Sequence, residues 1–139
     1  MDFPFDMNNK LLEYAEWFKI DLVKTLLKCV TERYGTEAVQ NMGEFVPTRC
    51  IFPNEIQSFH AALKHLNSLF HLNHRSTEYI GEYLPFLDIK NEAVIFCNTP
   101  HYSTSFNYGI IQRLAKKFNH FLNITVLDKE NGGLFKIVG

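Results

Sequence analysis

The order of hydrophobic periodicities predicts an α+β fold. N-terminal helices are followed by a small, mainly antiparallel four-stranded sheet, β-β-α-β-β, packed on those helices. Two observations carry this. From residue 9 to 72, apolar side chains recur every three or four positions, the spacing of one helix face. From residue 78 to 139 the pattern changes to short apolar runs separated by turn residues, with one further helical stripe between them. A single domain of 1–139 follows, with a flexible arm at 1–8, a mainly helical half at 9–72 and a β-β-α-β-β half at 78–139.

Each element has its own signal. Leu11, Ala15, Phe18, Leu22, Leu26 and Val30 form a helical stripe, and Val23, Leu27 and Tyr34 widen it. A bend is expected near Lys19-Ile20-Asp21, and Gly35 is expected to end the helix. Thr36 and Glu37 open a shorter helix that Gly43 is expected to stop. Pro47 and Pro53 bound an irregular connector from Phe45 to Phe52. A helix over 54–71 carries Ile56, Phe59, Leu63, Leu66 and Phe70 on one face. Tyr79 to Ile89 reads as an extended segment made an edge by Pro85, and Lys90-Asn91-Glu92 as a hairpin turn. Ala93 to Cys97 is a continuous apolar run, hence a buried strand. Ser103, Thr104 or Ser105 caps the next helix, whose stripe is Phe106, Ile110, Ile111, Leu114 and Phe118. Leu122 to Leu127 and Leu134 to Val138 are strands joined by the turn signal Asn131-Gly132-Gly133.

Composition narrows the function classes. Basic residues number 14 and acidic residues 15, so no basic surface for nucleic acid is expected. No run approaches the length and apolarity of a membrane span, and the start MDFPFDMNNK lacks the pattern of a signal peptide. Cys29, Cys50 and Cys97 are widely spaced and odd in number, which predicts free thiols and a cytoplasmic setting. The aromatic share, 13 Phe and 6 Tyr with a single Trp, fills a core or lines a pocket.

The candidate ligand site lies where the apolar strand meets the polar loop and the following helix. The strand Val94-Ile95-Phe96 offers an apolar floor. The start of the helix offers backbone donors, and tyrosine rings offer both packing and a hydroxyl. The expected site residues are Cys97, Asn98, His101, Tyr102, Ser105, Phe106, Tyr108 and Ile110, with the loop itself exposed. No metal or cofactor is expected. The weak candidates for metal ligation are His71, His74, Cys97 and His101, whose spacing matches no structural zinc site. Cys97 with His101 also allows a thiol nucleophile and its base, but Cys97 closes an apolar strand, where an inert thiol is the simpler reading.

Several phrases carry a family likeness. They are Tyr34-Gly35 with Met42-Gly43-Glu44, Asn73-His74-Arg75, Ile80-Gly81-Glu82-Tyr83, Cys97-Asn98-Thr99-Pro100-His101-Tyr102 and Phe106-Asn107-Tyr108-Gly109-Ile110-Ile111. Over about residues 30–139 the chain resembles a small bacterial family of uncharacterised domains. That family in turn is similar to the four-vinyl-reductase, haem-nitric-oxide-binding and TRAPP-type domains. The resemblance implies a helical half followed by a small antiparallel sheet, and binding of small hydrophobic or tetrapyrrole-like ligands or dimerisation. The chain departs from those relatives in two places. Gly133 is followed by Leu134-Phe135-Lys136, without the cysteine the relatives often carry. Tyr102-Ser103-Thr104-Ser105-Phe106 lacks the arginine of the Tyr-x-Ser-x-Arg constellation of the haem-binding relatives.

The function expected is a non-catalytic regulatory or sensor domain for a small apolar or amphipathic molecule. The alternative is a homodimeric interaction module with the first long helix as its interface. A third is an enzyme using Cys97 or His101.

Overall fold

In a computed structural model, residues 2–5, 16–75, 79–87, 92–120 and 123–139 are described. The hairpin turn at Lys90-Asn91-Glu92 falls mostly outside them, as do Leu11, Ala15 and Leu122. The described residues form helices packed on a four-stranded antiparallel sheet, the α+β arrangement the periodicities predict.

The N-terminus differs from its expectation. Strand β1 (Asp2–Phe5) pairs antiparallel with β2 (Glu16–Lys19), so residues 2–5 are a strand and the first helix starts at Ile20, eleven residues after the expected Asn9. Phe3, Phe5, Trp17 and Phe18 are strand formers, and Pro4 has no amide proton, which suits an edge. The bend expected near Lys19-Ile20-Asp21 is where the strand gives way to α1 (Ile20–Tyr34). Gly35 ends α1, as expected.

Helix α2 (Thr36–Arg49) runs straight through two expected stops. Gly43 is buried, and a Cβ there would strike the backbone carbonyl of Phe106. A Cβ on Gly109 would strike the carbonyl of Gln40. The two glycines are therefore the contact points of a helix crossing close enough to exclude a methyl group. Burial along that crossing outweighs the cost of a helical glycine, about 1 kcal/mol. Pro47 sits in the last turn of α2, inside the helix that the connector reading excluded.

The expected helix over 54–71 is two shorter ones. Ser58 caps α3 (Phe59–Lys64) by accepting from the amide of Ala61, and the chain kinks at His65 before α4 (Leu66–Leu72). The sheet order is β3 (Glu82–Leu87), β4 (Glu92–Asn98), β6 (Leu134–Val138), β5 (Asn123–Asp128), all antiparallel. Burial alternates along β4, so Ala93, Ile95 and Cys97 face inward with Phe135 and Ile137 of β6. Helix α5 (Thr104–Lys117) carries the predicted stripe, with Ser103 as the cap; Phe106, Ile110, Ile111 and Leu114 are buried. Helix α2 packs along α5. Among the described residues no helix is long and apolar enough to cross a membrane.

Candidate functional site

An apolar cavity lies where α2, α4, α5 and β3 converge. Val46, Pro47, Cys50 and Phe52 wall it on one side; Leu66, Leu69, Phe70, Asn73 and His74 on another. Phe106, Ile110 and Leu114 of α5, Tyr102 just before it, and Tyr83 of β3 complete it. Its interior is about 50 Å³, and the empty space including the open mouth is about 480 Å³. Two larger recesses, about 290 and 590 Å³, are open surface grooves edged by charged side chains such as Lys116 and Glu44, and lack this apolar enclosure.

Aromatic rings pack one upon another around the cavity. Phe70 meets Tyr83 edge-on at 5.1 Å, and Tyr102 meets Phe106 at 4.8 Å. Asn73 holds the wall in place. Its amide nitrogen donates to the carbonyls of Ile51 and Leu69, and its carbonyl accepts from the amide of Ile51. The connector after α2 is thereby clasped to the end of α4.

The pair His74 and Tyr102 lines the cavity. His74 Nδ1 lies 2.5 Å from the carbonyl oxygen of Phe70. A carbonyl only accepts, so Nδ1 carries the proton and Nε2 is the lone-pair nitrogen. Nε2 accepts from the hydroxyl of Tyr102. Burial lowers the His74 pKa from 6.5 to about 4, which keeps the ring neutral. Burial likewise holds the Tyr102 and Tyr83 hydroxyls protonated.

The His74 shift sets a pH dependence. A histidine with a depressed folded-state pKa binds fewer protons folded than unfolded across the interval between the two values. Its contribution is therefore complete above about 6.5 and lost as pH falls toward about 4. Urea denaturation of the protein is expected to show a stability decline of about 3 kcal/mol over that interval from this group. The same measurement on His74→Gln is expected to lack that portion; an unchanged slope would place the titration elsewhere.

Behind the cavity Tyr83 joins a buried polar network. Its hydroxyl donates to Asn107 Oδ1 at 2.5 Å. Asn107 Nδ2 donates to Thr99 Oγ1 at 2.9 Å and to the Gly132 carbonyl at 2.8 Å. Thr99 Oγ1 in turn donates to the carbonyl of Tyr102 at 3.2 Å. Asn107 is fully buried and every polar atom of its amide is engaged. The network ties β3, the loop before α5 and the β5–β6 turn to one side chain.

The residues expected from sequence divide sharply. Tyr102, Phe106 and Ile110 line the cavity. Tyr102 is not an exposed loop residue: it is 4 % exposed and belongs to the core. Tyr108 lies toward Phe135 and borders a surface groove. Asn98 donates to the Tyr79 hydroxyl. Ser105 is half-buried in the first turn of α5, and the capping hydroxyl is that of Ser103. His101 Nε2 lies 3.6 Å from Asp21 Oδ1, and its Nδ1 is buried without a partner among the described residues. Burial lowers the His101 pKa, with Asp21 opposing.

Cys97 is buried against the sheet interior opposite Tyr83, and burial pushes its thiol up to about 12. A thiol so held is not a nucleophile near neutral pH. Of the weak metal candidates, His71 is exposed and His74 is in the cavity. No group of three or more metal-ligating side chains occurs among the described residues. The α2 and α4 walls and the roles of His74 and Asn107 were not foreseen. The phrases that carry the family likeness point to them: Met42-Gly43-Glu44 on α2, Asn73-His74-Arg75 at the end of α4 and Phe106-Asn107-Tyr108 on α5.

Comparison with known proteins recovers the fold. No family model and no curated protein matches the chain. Among solved structures it is similar to an H-NOX protein from S. oneidensis in the Fe(II)NO ligation state, with a TM-score of 0.67 at 12% identity, covering 95% of this chain and 81% of that one. It is similar also to the I5F mutant of T. tengcongensis H-NOX, with a TM-score of 0.61 at 13% identity, covering 93% and 77%. A Cs H-NOX mutant matches with a TM-score of 0.63 at 13% identity, covering 93% and 76%. Of the families named from sequence phrases, the haem-nitric-oxide-binding one is thus the one whose architecture is recovered, and the chain has the fold of the H-NOX domains.

Proposed function

We propose that the protein is a small-molecule-binding sensor domain whose ligand is apolar or amphipathic and occupies the cavity beside His74 and Tyr102. The observation that carries this is an apolar, aromatic-lined cavity with a mouth and the His74–Tyr102 polar pair in its wall, the usual make-up of a small-ligand site. The H-NOX fold, found in proteins with Fe(II) and Fe(II)NO ligation states, supports a sensing role.

Haem is the group that fold implies, and the residues present do not fit it. A neutral histidine with Nδ1 donating to a backbone carbonyl has the chemistry of an axial ligand. Its Nε2 is already taken by the Tyr102 hydroxyl. The interior of about 50 Å³ has room for roughly three or four waters, not a macrocycle. The rings of Phe70, Tyr83, Tyr102 and Phe106 pack against one another around that small interior.

Native mass spectrometry of the protein recovered from its own cells tests the reading. The expected spectrum shows a retained non-haem small molecule, absent when Ile110→Phe fills the cavity. Stoichiometric haem lost in His74→Ala, or a ligand unaffected by Ile110→Phe, would overturn it.

A second reading, the homodimer, has its own observation. The outer face of the sheet exposes Leu84, Phe86 and Phe96 on adjoining strands, with Phe86 64 % exposed. Helix α1, the interface expected from sequence, exposes Leu22 and Leu26. A stable interface covers about 800 Å² per partner, which favours the broader sheet face against a second copy. The same spectrum reads the mass of the assembly, and a strict monomer would reject this reading.

A further inference from the structure

We propose that Lys117 makes the cavity mouth a carboxylate site, so that the ligand is a short-chain apolar monocarboxylate. The inference rests on the cavity reading above and adds the chemical class of the head group. Lys117 closes α5 and lays its ammonium against two residues of the cavity wall. Its Nζ donates to the carbonyl of Pro47 at 3.3 Å and lies 4.2 Å from the centre of the Phe52 ring. Pro47 and Phe52 both line the cavity, and the charge of Lys117 also acts on the Cys50 thiol, a third lining group.

The neighbouring Lys116 behaves differently. It pairs with Glu44 at 3.1 Å on the outer surface. Lys117 has no carboxylate partner among the described residues; a neutral carbonyl and a ring face hold it instead. A lysine in the last turn of a helix complements the helix dipole wherever its side chain points. That general role does not account for an ammonium held over Phe52, a lining ring of an apolar cavity. An uncompensated cation in this place matches one negative charge on a ligand whose tail lies inside.

The shape of the cavity agrees. A carboxylate at Lys117 stays partly hydrated at the open mouth, so its desolvation cost is small. An alkyl tail then runs between Phe52, Leu66, Phe106 and Leu114 toward the His74–Tyr102 pair. The interior of about 50 Å³, within about 480 Å³ including the mouth, limits the tail to a few carbons without rearrangement.

Calorimetric titration of the full chain with hexanoate and with n-hexanol tests this. Hexanoate is expected to bind about tenfold more tightly, the worth of one charge-assisted hydrogen bond. Lys117→Gln is expected to abolish that preference by weakening hexanoate about tenfold, with a smaller effect on n-hexanol, while Lys117→Arg restores it. Lys116→Gln is expected to keep the preference. Equal binding of the two probes, or loss of the preference in Lys116→Gln as much as in Lys117→Gln, would overturn the carboxylate inference and leave the cavity reading standing. If neither probe binds, the cavity reading falls and this inference with it.

Discussion

Gly109→Ala is expected to destabilise the protein by about 3 kcal/mol, the upper part of the usual range for overpacking a tight contact. Its melting temperature should fall by about 10 °C for a chain of this length. The sign is the informative part. In an ordinary helix interior the same change stabilises by about 1 kcal/mol. Here the new methyl would meet the carbonyl of Gln40, a backbone atom that cannot rotate away. Gly43→Ala, facing the carbonyl of Phe106, is expected to behave alike. Because α2 and α5 each wall the cavity, forcing them apart should also loosen ligand binding. Calorimetric melting of both variants checks the expectation, and a gain in stability would mean the helices are further apart than described.

Asn107→Leu is expected to cost about 4 kcal/mol. The leucine is close in size, so the loss comes from buried partners that each lose their hydrogen bond to Asn107. These are the Tyr83 hydroxyl, Thr99 Oγ1 and the Gly132 carbonyl, all in the interior. An unsatisfied buried group costs about 1–3 kcal/mol, and the three act as one network. Tyr83→Phe removes a single arm and should cost about 1 kcal/mol. Urea denaturation separates the two; equal losses would mean that the network is not centred on Asn107.

The sheet half was legible because its signals are local. The continuous run Ala93–Cys97, the stripe from Phe106 to Leu114 and the glycines at Gly132 and Gly133 each report on neighbours a few residues away. The helical half misled where a long-range contact overrides a local rule. Gly43 reads as a helix stop, but its meaning is the approach of α5, far along the chain. Breaking α2 there hid Val46, Pro47 and Cys50, a whole wall of the cavity. The first stripe misled differently: residues 16–19 fit a helical period, yet they pair with 2–5 as a strand.

The candidate site was legible from one side only. Tyr102, Phe106 and Ile110 were reachable because the strand-loop-helix unit that holds them is contiguous. His74 was not, because its partner Tyr102 is 28 residues away, and a histidine beyond a helix end reads as surface. Asn107 posed the same difficulty. A lone asparagine within an apolar stripe hints at a buried partner, but Tyr83 and Gly132 become its partners only in the folded chain.

The central claim is that the cavity between α2, α4 and α5 takes an apolar ligand. Methyl-detected nuclear magnetic resonance during titration with n-hexanol tests it most directly. The account predicts saturable shifts at Val46, Leu66, Leu69, Ile110 and Leu114, which line the cavity, and little change at Ile124 and Val126 on β5. Saturable shifts centred on Ile124 and Val126, or no saturable shift at the cavity methyls, would contradict it.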